Sequence, residues 1–215
     1  MQNLYNRDYY EHGIELGISG YSNYRWMPEL SLQMCHELVL QLNIKKEDII
    51  VDFGCAKGYL VKAFRLLHYN AYGVDISNYA LSKTFDDIKF YLYQIQHDAS
   101  LSDVFSKNID WIIAKDVLEH IHYENIDFHI SDMSSNSKNL FAIIPLGDGE
   151  KYVIPSCNKD ITHIIKEDIE WWNKCFIKNG FDIIWSTHQM KNMREHWRGF
   201  EKGIGFFNLK SKTLY

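Results

Sequence analysis

Ile49-Ile50-Val51-Asp52-Phe53-Gly54-Cys55-Ala56-Lys57-Gly58-Tyr59-Leu60-Val61-Lys62-Ala63-Phe64 reads as a strand, a tight loop and the start of a helix. Ile49, Ile50 and Val51 are β-branched and run into the acidic Asp52. Gly54 and Gly58 bound a turn, and Leu60, Val61, Ala63 and Phe64 then follow a helical pattern. A strand that turns at once into a helix brings free backbone N–H groups to a ligand above the strand ends. The glycine spacing is neither that of a phosphate-binding P-loop nor G-x-G-x-x-G.

The totals set the class. A chain of 215 residues holds one well-buried core, so a single domain over 1–215 is expected. Hydrophobic content of 46% and charged content of 24% are those of a soluble globular protein. A net charge of −5 speaks against a nucleic-acid partner, which calls for a basic face. No apolar run has the length of a membrane helix, and Met1 to Asp8 lacks the basic start and apolar core of a signal peptide. Cys35, Cys55, Cys157 and Cys175 form no C-x-x-C pair, so neither a zinc knuckle nor a redox dithiol is indicated and a cytoplasmic location is expected.

Outward from the first loop, the pattern predicts an alternation of strands and helices. Pro28 opens a helix over Glu29 to Asn43, with Leu30, Met34, Leu38 and Leu42 as its apolar stripe beside Cys35 and Val39. Strands are predicted at Ile49–Phe53, Ala71–Asp75, Phe90–Ile95, Ile109–Ala114, Leu140–Ile144, Phe181–Thr187 and Ile204–Leu209, the last two as an antiparallel pair. Helices are predicted at Tyr59–Leu67, from Asn78 with Ser77 as cap, around Val117–Ile121 and Ile126–Met133, and at Glu167–Asn179. The Ser-rich stretch 134–139 reads as a polar connection. Residues 1–28 hold Tyr5, Tyr9, Tyr10, Tyr21, Tyr24 and Trp26 among glycines, and fit a lid over an open site. Residues 146–165 form a long connection without helical pattern, a candidate active-site loop.

Asp52, Gly54 and Gly58 resemble motif I of class I S-adenosylmethionine-dependent methyltransferases, usually acidic-x-Gly-x-Gly-x-Gly. Ala56 stands at the middle glycine, which argues for a negative φ there. Asp110 to Ile121, with Lys115-Asp116-Val117-Leu118-Glu119-His120, resembles the family's motif IV and its following Leu-Glu-His. The resemblance covers about 49–185 and implies a doubly wound α/β fold with a seven-stranded, mostly parallel sheet. It implies S-adenosylmethionine as cofactor and S-adenosylhomocysteine as product. Asp52, Gly54, Cys55, Ala56 and Gly58 would form the first cofactor loop. Asp75, beside Ile76, would accept the ribose hydroxyls, Asp98 and Ala99 would meet the adenine edge, and Lys115, Asp116 and Val117 would line the methionine end. No Asn/Asp-Pro-Pro-Tyr/Phe sequence is present, which argues against DNA or rRNA aminomethylation.

Asp160-Ile161-Thr162-His163 resembles the Asp-x-Thr-His segment of methyltransferases acting on sugars and other small polar acceptors. His163 therefore ranks ahead of His120 as the proton acceptor, with a structural role open for both. His188, Arg194, His196, Trp197 and Arg198 are a basic-aromatic cluster suited to an anionic part of the acceptor; Tyr24 and Arg25 join Arg194 and Arg198 as candidate substrate contacts. No compact carboxylate cluster indicates a metal, and none is expected. The reading is an O-methyltransferase for a small polar, anionic acceptor of capsule or other surface-polysaccharide synthesis. The alternatives are N-methylation of an amino sugar and a non-catalytic nucleoside-binding subunit. Oligomeric state stays open.

Overall fold

The strand that opens this reading, β1 (Ile49–Phe53), lies inside a seven-stranded sheet in the computed structural model, which describes residues 4–106, 109–193 and 199–213. The other strands are β2 (Asn70–Asp75), β3 (Leu92–Gln94), β4 (Ile109–Lys115), β5 (Ser137–Pro145), β6 (Phe181–Thr187) and β7 (Ile204–Ser211). Their order is β3-β2-β1-β4-β5-β7-β6. The first five are parallel, while β7 runs antiparallel between β5 and β6. The chain winds outward from β1 on one side and restarts at β4 on the other. In such sheets the crevice outside the strand carboxyl ends at this reversal is the binding site.

Near-continuous apolar strands are explained by burial on both faces. Along β1, β4 and β5, alternate residues enter different cores. Val51, Phe53, Ile112, Ala114, Leu140 and Ala142 pack in one core with Ile126 and Ile130 of α6 (Tyr123–Asn136) and Trp172 and Phe176 of α7 (Ile169–Lys178). Ile50, Trp111, Ile113 and Phe141 pack in the other with Cys35 and Leu38 of α3 (Pro28–Leu42) and Val61 and Phe64 of α4 (Tyr59–Leu66). No helix among the described residues is long and apolar enough to cross a membrane.

Three local expectations change. Leu30 is 55% exposed, so the stripe of α3 is carried by Cys35, Leu38 and Leu42. The Ser-rich stretch contains no loop: α6 runs to Asn136 and β5 starts at Ser137. Ser134 donates to Gly180 O (2.7 Å) and Ser137 to Met133 O (2.8 Å), so backbone acceptors satisfy the hydroxyls inside the fold. β3 is shorter than expected, because Lys89–Tyr91 is a 3-10 turn.

The aromatic N-terminal segment is a lid. Its helices α1 (Arg7–Glu11) and α2 (Gly13–Leu16) are short, and Tyr9 and Tyr10 are each 4% exposed. They pack with Ala80 of α5 (Asn78–Ser82) and with Tyr5, Tyr21, Tyr24, Ala56 and Tyr79. Gly13 permits a close crossing: a Cβ there would meet Ser19 Oγ at 1.8 Å, the hydroxyl that donates to Tyr9 O (2.6 Å).

Candidate active site

A cavity partly open to solvent lies over the carboxyl ends of β1, β2 and β4. Tyr5, Tyr9 and Tyr10 close it from the lid, Gly54, Ala56, Asp75 and Ile76 form its floor, and Asp116, Val117 and His120 form the far wall.

The floor is built by the first loop. Gly54 and Gly58 have φ of +77° and +76°, and a Cβ at Gly54 would meet Val117 Cγ2 at 2.5 Å. Ala56 also adopts the left-handed region, with φ +50°, where the sequence argued for a negative value. Its N–H is held by Asp75 Oδ2 at 2.6 Å, and Gly54 N and Cys55 N both donate to Val74 O. These bonds hold Ala56 in a conformation that costs an L-residue about 1–2 kcal/mol. Ala56→Gly is therefore expected to raise stability by about 0.5–1 kcal/mol after glycine's own entropy loss, seen as a Tm increase of about 1–4 °C.

Asp75 is 6% exposed and doubly engaged, with Oδ1 accepting from Ser77 N (2.6 Å) and Oδ2 from Ala56 N. Burial raises its carboxyl to about 6, opposed by the N–H groups of Ser77, Ala56 and Ile76. Asp52 is raised by burial to about 7, with the Lys115 ammonium pulling down and Asp75 pushing up.

Asp52, Cys55 and Gly58 support the loop from outside the cavity lining, and Lys115 pairs with Asp116 at 2.7 Å. At the predicted adenine edge, Ile95, Gln96 and His97 line the cavity, while Asp98 is exposed and neither it nor Ala99 is in the lining. Ile95 N bonds Asp75 O, and the turn closed by Ala99 N to Gln96 O carries Asp98 outward. Tyr24 packs inside the lid, tilted against Tyr59 and edge-on to Tyr21, and Arg25 is exposed; neither lines the cavity. Arg194, His196, Trp197 and Arg198 lie outside the described residues.

Sequence reasoning passed over Lys57. It is 5% exposed and donates to Glu11 Oε1 and Tyr24 O, both at 2.6 Å, tying the lid to the first loop. A lysine between two loop glycines looks solvent-facing until the lid is folded over it.

Residues 25–184 match the family described as Methyltransferase domain. The chain belongs to this family. It is a methyltransferase dependent on S-adenosylmethionine, with S-adenosylhomocysteine as product. Solved structures share the fold at low identity. A S-adenosylmethionine-dependent methyltransferase from Clostridium acetobutylicum is 14% identical, with 86% of this chain and 92% of that chain covered and a TM-score of 0.62. A SAM-dependent methyltransferase from Archaeoglobus fulgidus is 16% identical, covering 86% and 95% at a TM-score of 0.64. Magnesium protoporphyrin IX methyltransferase from Synechocystis, with bound S-adenosylhomocysteine, is 15% identical, covering 86% and 83% at 0.61. No curated protein matches the chain.

In this methyltransferase His120 lines the cavity wall and His163 stands behind it, outside the lining. Their ring centroids are 4.6 Å apart. Glu119, fully buried, is the middle residue of the turn at Leu118–His120, and its backbone oxygen accepts from Ile164 N and Ile165 N of the long loop. Those bonds bring the loop's His163 to the end of β4. Burial raises the Glu119 carboxyl to about 8, with Lys115 pulling down and Asp160 pushing up. Burial lowers His120 to about 3, aided by His163 and opposed by Asp160, and burial also lowers His163.

Proposed function

We propose that this methyltransferase methylates an oxygen of a small polar, anionic acceptor used in capsule or other surface-polysaccharide synthesis. The observation that carries the oxygen assignment is the meeting of Glu119 and His163 with His120 of the cavity wall, directly behind the lining. A hydroxyl must shed its proton to attack, and a neutral amine need not. The acceptor oxygen attacks the sulfonium methyl in line, the C–S bond breaks with its electron pair staying on sulfur, and the hydroxyl proton leaves through the cluster. Alignment and exclusion of water by the tyrosine lid supply the rest.

For the cofactor, Asp75 would take the ribose hydroxyls, Asp116 the methionine ammonium, and Gln96 and His97 the adenine edge in place of Asp98 and Ala99. The acidic floor and wall suit the cationic cofactor. For the acceptor, the resemblance of Asp160-Ile161-Thr162-His163 supports a sugar-like substrate, and Arg194 and Arg198 would bind its anionic portion.

The test is a methyl-transfer screen across nucleotide sugars, sugar phosphates and amino sugars, read by mass spectrometry. A methylated oxygen is expected, with Arg194→Ala or Arg198→Ala raising the acceptor KM and leaving cofactor affinity intact. A methylated nitrogen moves the reading to N-methylation; no turnover of any class, with cofactor bound, favours a non-catalytic subunit.

A further inference from the structure

Hydrogen bonding fixes the protons of both histidines. His163 Nδ1 lies 2.9 Å from Cys157 O; a carbonyl only accepts, so Nδ1 carries the hydrogen. His120 Nδ1 lies 2.8 Å from Thr162 Oγ1, whose own hydrogen goes to Asp160 Oδ1 at 2.6 Å, so this Nδ1 carries a hydrogen as well. Both Nε2 atoms therefore present lone pairs. They face Glu119 Oε1, at 4.0 Å from His120 and 3.9 Å from His163. Neither oxygen of the fully buried Glu119 has a hydrogen-bond partner among the described residues. Three polar atoms thus converge at 3.9–4.0 Å, too far for a proton on Glu119 to bridge to either Nε2, an arrangement that is costly unless a cation sits between them.

We propose that Glu119, His120 and His163 form a binding site for one divalent first-row transition ion, held by Glu119 Oε1 and the two Nε2 atoms. This departs from the expectation of no metal. The ligand atoms lie within 4.8 Å of one another. An ion with bonds of about 2.1 Å places tetrahedral ligands about 3.4 Å apart, so closing the site takes shifts of about half an ångström. Two imidazoles and one carboxylate suit Zn²⁺, Co²⁺ or Mn²⁺ better than Ca²⁺ or Mg²⁺, which favour oxygen-only sets. The outer bonds have the form metal-binding histidines use, one ring N–H to a backbone carbonyl and the other through Thr162 to Asp160. Asp160 Oδ2, 3.9 Å from His163 Nε2, accepts from Tyr9 of the lid (3.0 Å) and adds negative charge beside the site.

Three protein ligands leave a position for water or the acceptor oxygen. Resting on the proposed O-methylation, the ion then takes the place of the histidines as the activating group: with both Nε2 lone pairs occupied, the hydroxyl bound there loses its proton to water more readily, and the resulting alkoxide takes the methyl.

The test titrates the purified full-length protein, stripped with a chelator, with Zn²⁺ and Co²⁺. One equivalent is expected to bind, and Co²⁺ is expected to develop visible absorption of nitrogen and oxygen coordination without a thiolate charge-transfer band. Glu119→Gln and His163→Ala, confirmed as folded by circular dichroism and S-adenosylhomocysteine binding, should each lose at least about 100-fold in ion affinity, because outer-shell losses alone cost about 10–100-fold. His36→Ala, on the exposed face of α3, should bind as wild type does. Should a ligand variant fail to fold, the wild-type Co²⁺ spectrum decides. No stoichiometric binding, thiolate coordination, or affinity unchanged in both folded ligand variants would overturn the site. Turnover that persists in protein verified as metal-free overturns the acceptor-oxygen role, and cofactor binding is measured separately, so the methyltransferase reading is not at stake in either result.

Discussion

His163→Ala is expected to lower kcat by about 10²- to 10⁴-fold while leaving S-adenosylmethionine affinity little changed. His163 is outside the cavity lining, so a loss of that size comes from its partnership with Glu119 and His120. His120→Ala should cost a comparable factor. Groups acting as a unit are strongly non-additive, so the double variant should be hardly slower than either single one. Single-turnover kinetics with saturating cofactor measures this. Near-normal kcat in His163→Ala, with His120→Ala inactive, would leave His120 acting alone and His163 as a prop for the loop.

Asp75→Ala is expected to weaken S-adenosylmethionine binding by roughly 1–3 kcal/mol, about 5- to 150-fold in Kd. The change removes the proposed ribose contact and also the acceptor that holds Ala56 N and Ser77 N in the floor of the site. The pH dependence follows. Burial sets Asp75 at about 6 and Asp52 at about 7, so both gain protons as pH falls through that range and cofactor affinity should drop between pH 7 and 5. In the free protein the sign is opposite. A carboxyl raised above 3.8 makes the folded state the tighter proton binder, so stability contributed by these groups declines as pH rises from about 4 through 6–7. Binding isotherms across pH, paired with thermal melts, separate the two. A pH-independent Kd in the wild type would remove Asp75 from the binding account.

What the sequence made legible was local and strongly patterned. β1, its glycine-bounded turn and α4 are one continuous signal, and Ser77 caps α5 as expected, its Oγ accepting from Ala80 N at 3.0 Å. The position of β7 between β5 and β6 rests on pairings such as Ala142 with Phe207, which no local pattern encodes. The φ of Ala56 is decided by Asp75, nineteen residues away, whose carboxylate holds the N–H. Gln96 and His97 line the cavity where Asp98 was expected, because a short strand ends in a turn whose direction depends on β2. His120 and His163 were each named as candidates, but their meeting over Glu119 depends on two backbone bonds from the loop to Glu119 O. Glu119 itself read as a neighbour of His120 and not as the centre of a cluster.

The central claim is that this glycine-bounded loop, with Asp75 beside it, serves a methyl-transfer cofactor. Calorimetric titration of the purified protein with S-adenosylmethionine, S-adenosylhomocysteine and NAD tests it most directly. One-site binding of the first two, weakened in Asp75→Ala, with no useful affinity for NAD, is the predicted result. Equal binding of NAD, or no heat with either methyl-transfer cofactor, would contradict it.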